Sequence, residues 1–306
     1  MSRSASKPAA LLLINPRAGR LDRRTTAEVV AALGAGLDLD VRTTAERDEA
    51  IGMAAAGAAA GVPLVIALGG DGHVNEVANG LAGTTSALGI VPGGTMNVFA
   101  RALGIPGAPA GAAAHLLAAG SRPHRRLPLG QIDDRYFTSS AGCGFDAEAA
   151  ERVERRNASK RRFGELFFYW SALRVLMSSY RRRAPTMVLR DGFGEVAVSM
   201  AIASNCRPYA YFAGRPVDLT PGVTLEGGLG VFSMRSMRLE ALPSYVWRVA
   251  VRGDVTGHED VFWAADLEGF ELHSERSFHR HVDGEPLPPA MRARFRIAPG
   301  MLEVQA

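Results

Sequence analysis

Between Val65 and Leu81 an apolar β-type run ends in Gly69-Gly70-Asp71-Gly72 and becomes a helical pattern with Val74, Val77, Ala78 and Leu81 on one face. A strand, a glycine turn and a helix in that order present backbone N–H groups that suit a phosphate. One carboxylate, Asp71, stands inside the turn. A carboxylate repels phosphate, so its place there points to the handling of a phosphate-bound metal or of a proton. Glycine pairs are also common in ordinary tight βα turns, so this turn alone leaves both readings open.

The same grammar recurs at Ala87–Val91, a strand followed by Pro92-Gly93-Gly94-Thr95 and a helix starting near Asn97. Here Thr95 supplies a hydroxyl and Asn97 an amide at a helix N-terminus, both useful against phosphate oxygens. A third piece opens the chain: Leu11–Ile14 reads as a buried strand, followed by Asn15-Pro16-Arg17-Ala18-Gly19-Arg20. Three loops that follow three such strands converge at one edge of a parallel sheet, where α/β proteins bind ligands.

The elements that must position these loops alternate strand and helix from Ala9 to about His124. Strands are expected at Ala9–Ile14, Leu37–Thr43, Pro63–Leu68 and Ala87–Val91, with alanine-rich helices between and one more at Ala110–Ala119. That alternation implies a parallel three-layer α/β domain over residues 1–124. Near Ser121–Arg126 the grammar changes to short strands: Gln131–Ser140, Thr186–Arg190, Val196–Ala203, Leu229–Met234, Val261–Leu267 and Glu271–His273. Residues 125–285 therefore read as a mostly antiparallel β domain. A long helix at about Asp146–Tyr180 and a shorter one at about Leu239–Val251 interrupt it. Arg292–Ile297 alternates charged and apolar residues as a final strand should.

Together these pieces resemble the diacylglycerol kinase catalytic-domain family, the bacterial lipid kinases related to sphingosine and ceramide kinases. The matching segments are Asn15-Pro16-x-x-Gly19, Gly69-Gly70-Asp71-Gly72-x-x-Asn75-Glu76-Val77-x-Asn79-Gly80-Leu81 and Pro92-x-Gly94-Thr95-x-Asn97-x-x-Ala100. Gly142-x-Gly144-Phe145-Asp146-Ala147 and Val282-Asp283-Gly284-Glu285 follow in family order. The glycine–aspartate turn by itself is shared with NAD kinases and, more distantly, phosphofructokinases. The resemblance implies an NAD kinase/diacylglycerol kinase-like α/β nucleotide-binding domain followed by a mostly antiparallel β-sandwich domain, with residues 286–306 packing back on the first.

The activity so implied is ATP-dependent phosphorylation of a hydroxyl of diacylglycerol or a related lipid. ATP would meet Asn15, Thr44, Gly69, Gly70, Asp71, Gly72, His73, Asn75, Gly94, Thr95 and Asn97, and Mg²⁺ would arrive with the nucleotide. Glu285 is the implied general base and Asp71 its competitor; the sequence does not choose between them. There are departures from the family pattern. His73 stands where Thr or Ser is usual, and Met96 and Val98 replace smaller or acidic residues. Relatives commonly hold a structural magnesium through an Asp-Gly pair, but this chain has Gly227 at the Asp position, beside Glu226. Hard cations want carboxylate oxygens, so a metal site at Thr224, Gly227 and Leu229 is in doubt.

Several residues carry plainer readings beside these. Thr44 reads equally as a helix N-cap, and Asn75 and Asn79 as an exposed polar helix face opposite Val77 and Leu81. Asp283-Gly284 between β-type segments is a strong hairpin signal. His279 and His281 share one face of a strand but lack further zinc ligands, so a basic surface strand is the better reading. Ser139 and Ser140 lack a nucleophile-elbow context, and Cys143, flanked by glycines, reads as a small buried thiol.

The 306 residues suffice for two domains, 47% of them are apolar and the formal net charge is +4. No run approaches the roughly 20 apolar residues of a membrane span, and the polar start leads into strand one rather than a signal sequence. Two cysteines, Cys143 and Cys206, make no disulfide framework and point to the cytoplasm. Arg152, Arg155, Arg156, Lys160, Arg161, Arg162, Arg174 and Arg181–Arg183 flank the apolar stretch Phe167–Met177. That mixture suits peripheral contact with an anionic membrane surface, although a helix with a solvated basic face would look the same. No nucleic-acid module accompanies it, and a homodimer is left open. Two rival functions remain: a soluble nucleotide kinase of the NAD kinase type, and a non-catalytic lipid- or nucleotide-binding protein on the same fold.

Overall fold

The computed structural model describes residues 7–19, 21–144, 147–148, 187–192, 194–212, 215–236, 244, 248 and 256–306. Arg20, Phe145 and Asp146 lie outside the described residues. So do the body of the long helix expected to Tyr180, the basic and aromatic stretch Glu151–Arg183, and almost all of the helix expected at Leu239–Val251. The chain divides into two compact units, Met1–Pro128 with Pro299–Ala306 and Leu129–Ala298. The sequence pattern places these boundaries at 124/125 and 285/286. The return to the first unit begins later because one long strand runs unbroken from Glu285 to Val304.

The first unit is built from β1 (Ala9–Ile14), α1 (Arg23–Gly36), β2 (Asp38–Thr43), α2 (Glu49–Ala59), β3 (Leu64–Gly69), α3 (Asp71–Leu81), β4 (Ala87–Pro92), α4 (Val98–Ala102) and α5 (Pro109–Ala119). Its sheet runs β2-β1-β3-β4 with every pair parallel. Strands β3 and β4 are buried along their whole length and β1 along all but its first residue. A parallel strand covered on both faces must be a continuous apolar run, which is what Leu11–Ile14 and Leu64–Leu68 supply. Each fully buried Leu or Ile contributes about 1.5–3 kcal/mol, enough to hold the strand ends as a fixed platform.

Strand β2 pairs with β1 alone among the described strands, and its charged residues Asp38, Asp40 and Arg42 are exposed. Arg42 bonds Asp40 at 2.7 Å, and charge on an edge discourages pairing with another chain. Helix α1 starts where Asp22 accepts the Thr25 amide at 2.7 Å, as an N-cap should. Helix α2 is entered differently. Asp48 takes a left-handed conformation, φ 62°, and the Glu49 carboxylate accepts the Ala45 and Glu46 amides at 2.6 and 3.2 Å. Those backbone bonds hold the Glu49 carboxyl below the usual carboxylate range.

The second unit is entered along β5 (Arg125–Ile132) and left along β16 (Glu285–Val304), with β6 (Arg135–Phe137), β7 (Ser140–Gly144), β8 (Met187–Asp191), β9 (Gly194–Val198), β10 (Met200–Ser204), β11 (Ala210–Phe212), β12 (Arg215–Val217), β13 (Leu229–Met234), β14 (Val261–Leu267) and β15 (Gly269–Val282) between. Its strands follow the order β14-β13-β10-β7-β15-β16, antiparallel throughout, and β8 with β9 forms a hairpin beside β15. One core cluster gathers Leu189, Val231, Leu272 and the stacked pair Phe270–Phe295, whose ring centroids lie 4.4 Å apart. The alternate residues Met200, Ile202, Phe232 and Met234 build a second cluster with Leu219. Period-two alternation places them on the other face of the strands.

Three strands are cut differently from the sequence reading. Gln131–Ser140 is not one strand, because Asp133 turns the chain at φ 49° between β5 and β6. The Asp133 carboxylate stabilises that turn by accepting the Arg294 amide at 3.0 Å. Val196–Ala203 divides at Ser199, whose amide donates to Met234 O at 2.8 Å. The short strand expected at Glu271–His273 lies near the start of the 14-residue β15. At the far end of β16, Glu303 and Val304 pair in parallel with Ala87 and Leu88 of β4, within the first unit. No helix among the described residues is long and apolar enough to cross a membrane.

Candidate active site

The parallel registers Ile14↔Thr43, Ile14↔Leu68 and Gly69↔Pro92 bring the carboxyl ends of β1, β2, β3 and β4 into one line. Asn15, Thr44, Gly69–Gly72 and Gly93–Thr95 all follow those ends, so the first unit collects them on one edge. The two glycine turns touch. A Cβ on Gly94 would lie 2.7 Å from Gly70 Cα and 2.9 Å from Asn97 Oδ1, so only glycine lets the backbones approach this far. Helix α3 takes its first backbone bond from Val74 N–H to Gly70 O at 3.0 Å. The amides of Gly72 and His73 therefore precede its ladder, where an anion is favoured.

Asp71 is fixed by the second turn. Its Oδ1 accepts the Val98 amide, the first residue of α4, at 2.7 Å. One carboxylate thus holds the first glycine turn against the helix behind the second, through a charge-assisted bond of about 1.5–3 kcal/mol. Asn97 shapes the second turn from inside, accepting the Gly94 amide at 3.0 Å and donating to Gly94 O at 2.8 Å. It sits at φ 47° and is buried. One N–H and one lone pair of its amide are therefore engaged by the loop itself. Thr95 remains exposed at the tip of the turn.

His73 differs from expectation. Its Nε2 lies 3.0 Å from Leu13 O on β1, and the ring is buried. A carbonyl only accepts, so Nε2 carries the proton of a neutral imidazole. Burial pushes the His73 pKa down, and the Leu13 bond opposes that only in part. The side chain braces α3 against β1, and the His73 backbone amide stands ahead of the helix ladder.

Asn75 and Asn79 are not an exposed polar face. Asn75 is 1% exposed, and Asn79 donates to Asn75 O at 2.9 Å and to Asn75 Oδ1 at 3.1 Å. Helix α3 is covered around most of its circumference, so its polar residues must satisfy one another. Neighbouring Glu76 accepts the Asp48 amide at 3.0 Å and ties α3 to the entry of α2. Thr44 is not an N-cap either, since α2 begins at Glu49; its amide and hydroxyl both donate to Ile14 O, at 2.9 and 3.3 Å. Asn15 closes its own loop by accepting the Arg17 amide at 2.9 Å.

In the second unit Glu285 opens β16 and pairs with Val282 across a two-residue turn. Asp283 and Gly284 have φ 46° and 84°, the left-handed pair that Asp-Gly hairpins need. The Asp283 carboxylate accepts from Thr138, Ser139 and Ser140. Ser139 and Ser140, which carry no nucleophile-elbow context in the sequence, thus serve as donors to this carboxylate. His281 is buried, with the Gly284 amide 3.4 Å from its Nδ1, so β15 is not a basic surface strand at this point. Cys143 is buried, as its glycine neighbours suggested.

At Thr224–Leu229 the residues do not offer the acid that a hard cation would need at position 227. The carboxylate nearby belongs to Asp266 of β14, at φ 60°, and it accepts the Gly228 amide at 2.8 Å. Gly227 N–H closes on Thr224 O at 3.3 Å. The loop is thus held by the chain's own carboxylate. No sequence motif pointed to Asp266, because the contact spans 38 residues.

Comparison with known proteins bears on the family and the fold. Residues 9–129 match the diacylglycerol kinase catalytic domain. A Pseudomonas putida protein named "Probable lipid kinase YegS-like" is 31% identical over 88% of this chain and 85% of its own length. A Bacillus subtilis diacylglycerol kinase is 28% identical over 90% of this chain and 89% of its own. Among solved structures, a diacylglycerol kinase from Bacillus anthracis superposes with a TM-score of 0.73 at 24% identity, covering 97% of this chain and 96% of that one. An NAD kinase from Archaeoglobus fulgidus in complex with ATP reaches 0.53 at 12% identity, covering 98% and 93%. These two likenesses establish the fold.

Proposed function

Because this chain belongs to the diacylglycerol kinase catalytic-domain family, we propose that it is a lipid kinase that uses ATP to phosphorylate a hydroxyl of diacylglycerol or a related lipid. The observation that carries the nucleotide part is the contact of the two glycine turns at one sheet edge, with Asp71 bonded across them to Val98. The diacylglycerol part is supported by the activity named for the Bacillus subtilis relative.

In this reading the turn amides of Gly72 and His73 hold phosphate oxygens, and Thr95 adds its hydroxyl. Phosphoryl transfer needs positioning and charge neutralisation more than covalent help from the protein. The acceptor oxygen bonds to the γ-phosphorus, the bond from that phosphorus to the β,γ-bridging oxygen breaks, and ADP leaves. The hydroxyl proton passes to the Glu285 carboxylate, which must come within hydrogen-bond reach of it. A nucleotide-borne Mg²⁺ supplies charge neutralisation. The Asp71 carboxylate, placed at the turns by its bond to Val98, would be the oxygen ligand for such a hard ion. Peripheral capture of the lipid from an anionic membrane on the cytoplasmic side completes the reading, supported by the arginine-rich stretch Glu151–Arg183.

The test is a panel of acceptors with labelled ATP: diacylglycerol, sphingosine, ceramide and NAD. Transfer to a lipid and not to NAD is expected. Asp71→Asn, which keeps an oxygen for the Val98 amide but removes the charge, should lower transfer at least 100-fold while the melting temperature barely moves. Transfer to NAD alone, or to none of the four, would overturn the proposal.

A further inference from the structure

The Asp283 carboxylate accepts five hydrogen bonds from three consecutive residues: the Thr138 amide and hydroxyl at 2.8 Å each, the Ser139 amide at 2.9 Å and hydroxyl at 2.5 Å, and the Ser140 amide at 2.9 Å. Its own amide donates to Ser140 O at 2.8 Å. An ionised carboxylate offers about four lone-pair sites, so this one is saturated. A two-residue Asp-Gly turn needs no such help to close. The bonds instead reach across more than 140 positions of sequence to the start of β7. That start is anchored in turn: the Asn205 amide donates to Ser139 O at 2.8 Å, its side chain donates to Thr138 O at 3.2 Å, and Ser140 pairs with Ser204 of β10. Thr138, Ser139, Ser140, Ser204 and Asn205 are all buried.

We infer that Asp283 is a positioning residue for Glu285, fixing the base by clamping the β15–β16 turn onto Thr138–Ser140. This rests on the reading of Glu285 as the base. Glu285 is two residues from the clamp and directly follows Gly284, whose φ of 84° only a glycine tolerates readily. The clamp therefore fixes the backbone from which the Glu285 side chain projects. Asp283 itself takes no proton from the acceptor, because every lone-pair direction already faces a donor. Misplacing a reacting group by about 1 Å can cost about 10²-fold in rate, which sets the expected scale.

The experiment is a double-mutant cycle on the full chain with Asp283→Asn and Glu285→Gln, read as kcat and KM with each rate divided by the folded fraction. Asparagine keeps one acceptor oxygen but turns an NH₂ toward donors. Asp283→Asn should lower kcat about 10- to 100-fold, change the KM for ATP less than about twofold, and alter the acid limb of the kcat/KM pH profile. In the Glu285→Gln background the same change should cost nothing further, because the group being positioned is gone. If Glu285→Gln leaves only background transfer, the pH profile of Asp283→Asn decides. If Asp283→Asn does not fold, Ser139→Ala, which removes one donor and keeps both neighbouring amides, should show the same signature at several-fold. A Glu285→Gln enzyme within a few-fold of the parent would sink the base assignment itself. With Glu285 essential, equal losses in both backgrounds, or an unchanged pH profile, would overturn the positioning role and leave a purely structural clamp.

Discussion

Replacing Gly94 by alanine is the most direct probe of the contact between the glycine turns. The added Cβ would sit 2.7 Å from Gly70 Cα and 2.9 Å from Asn97 Oδ1. Carbon atoms rest at about 3.5–4.0 Å, so the two backbones must part by roughly 1 Å. Neither neighbour is the end of a flexible side chain: Gly70 caps α3, and Asn97 is tied at both ends of its amide to Gly94. Overpacking of this kind costs about 1–3 kcal/mol, which in a protein of this size lowers the melting temperature by about 2–4 °C per kcal/mol. The functional loss should be larger, since a phosphate held between turns about 1 Å too far apart forfeits roughly 10²-fold in rate. Gly70→Ala is the internal comparison, because its Cβ meets Gly94 Cα at 3.4 Å. Gly107→Ala is the blank, with nothing within 4 Å of its Cβ. Melting by scanning fluorimetry and steady-state transfer on the three variants give the answer. The order should be Gly94 far worse than Gly70, and Gly107 close to the parent. Equal melting temperatures and rates for Gly94→Ala and Gly107→Ala would refute the claim that the turns touch.

Three further outcomes are expected. The unfolded chain takes up a proton at His73 near its ordinary pKa of about 6.5, whereas the buried ring resists it to lower pH. Stability should therefore fall as pH drops below about 6.5, by at most about 1.4 kcal/mol per pH unit from this group. Melting curves of the parent and His73→Gln between pH 7.5 and 5 should diverge, and parallel curves would remove His73 as the cause. Protein purified without nucleotide should carry no stoichiometric Mg²⁺ by elemental analysis, while Asp266→Ala should lower the melting temperature by loosening Gly228; one bound ion lost on that substitution would show a metal site where the chain's own carboxylate was thought to suffice. Charge reversal at Arg155, Arg156, Arg161 and Arg162 should weaken binding to anionic vesicles far more than ATP binding, and salt should mimic it through a Debye length of about 8 Å. Vesicle binding indifferent to both changes would leave these arginines as a solvated face.

Local pattern was enough to read β1, β3 and β4 to within a residue at each end, because a strand buried on both faces is a bare apolar run with turn residues at its limits. The order of the glycine turns was legible for the same reason, since each sits where such a run stops. The divisions at Asp133 and Ser199 were not legible, because they depend on Arg294 and Met234, partners far along the chain that no window spans. Side-chain roles divided along the same line. Residue types alone placed Asp71, Asn97 and Asp283 at turns or helix starts, with His73 a polar side chain just after the first turn. Tertiary structure decided what each does with it: Asp71 caps Val98, Asn97 folds Gly94, His73 braces Leu13 and Asp283 grips Thr138–Ser140. A buried polar group must find its partner wherever the fold brings one, and that partner is set by packing rather than by spacing along the chain.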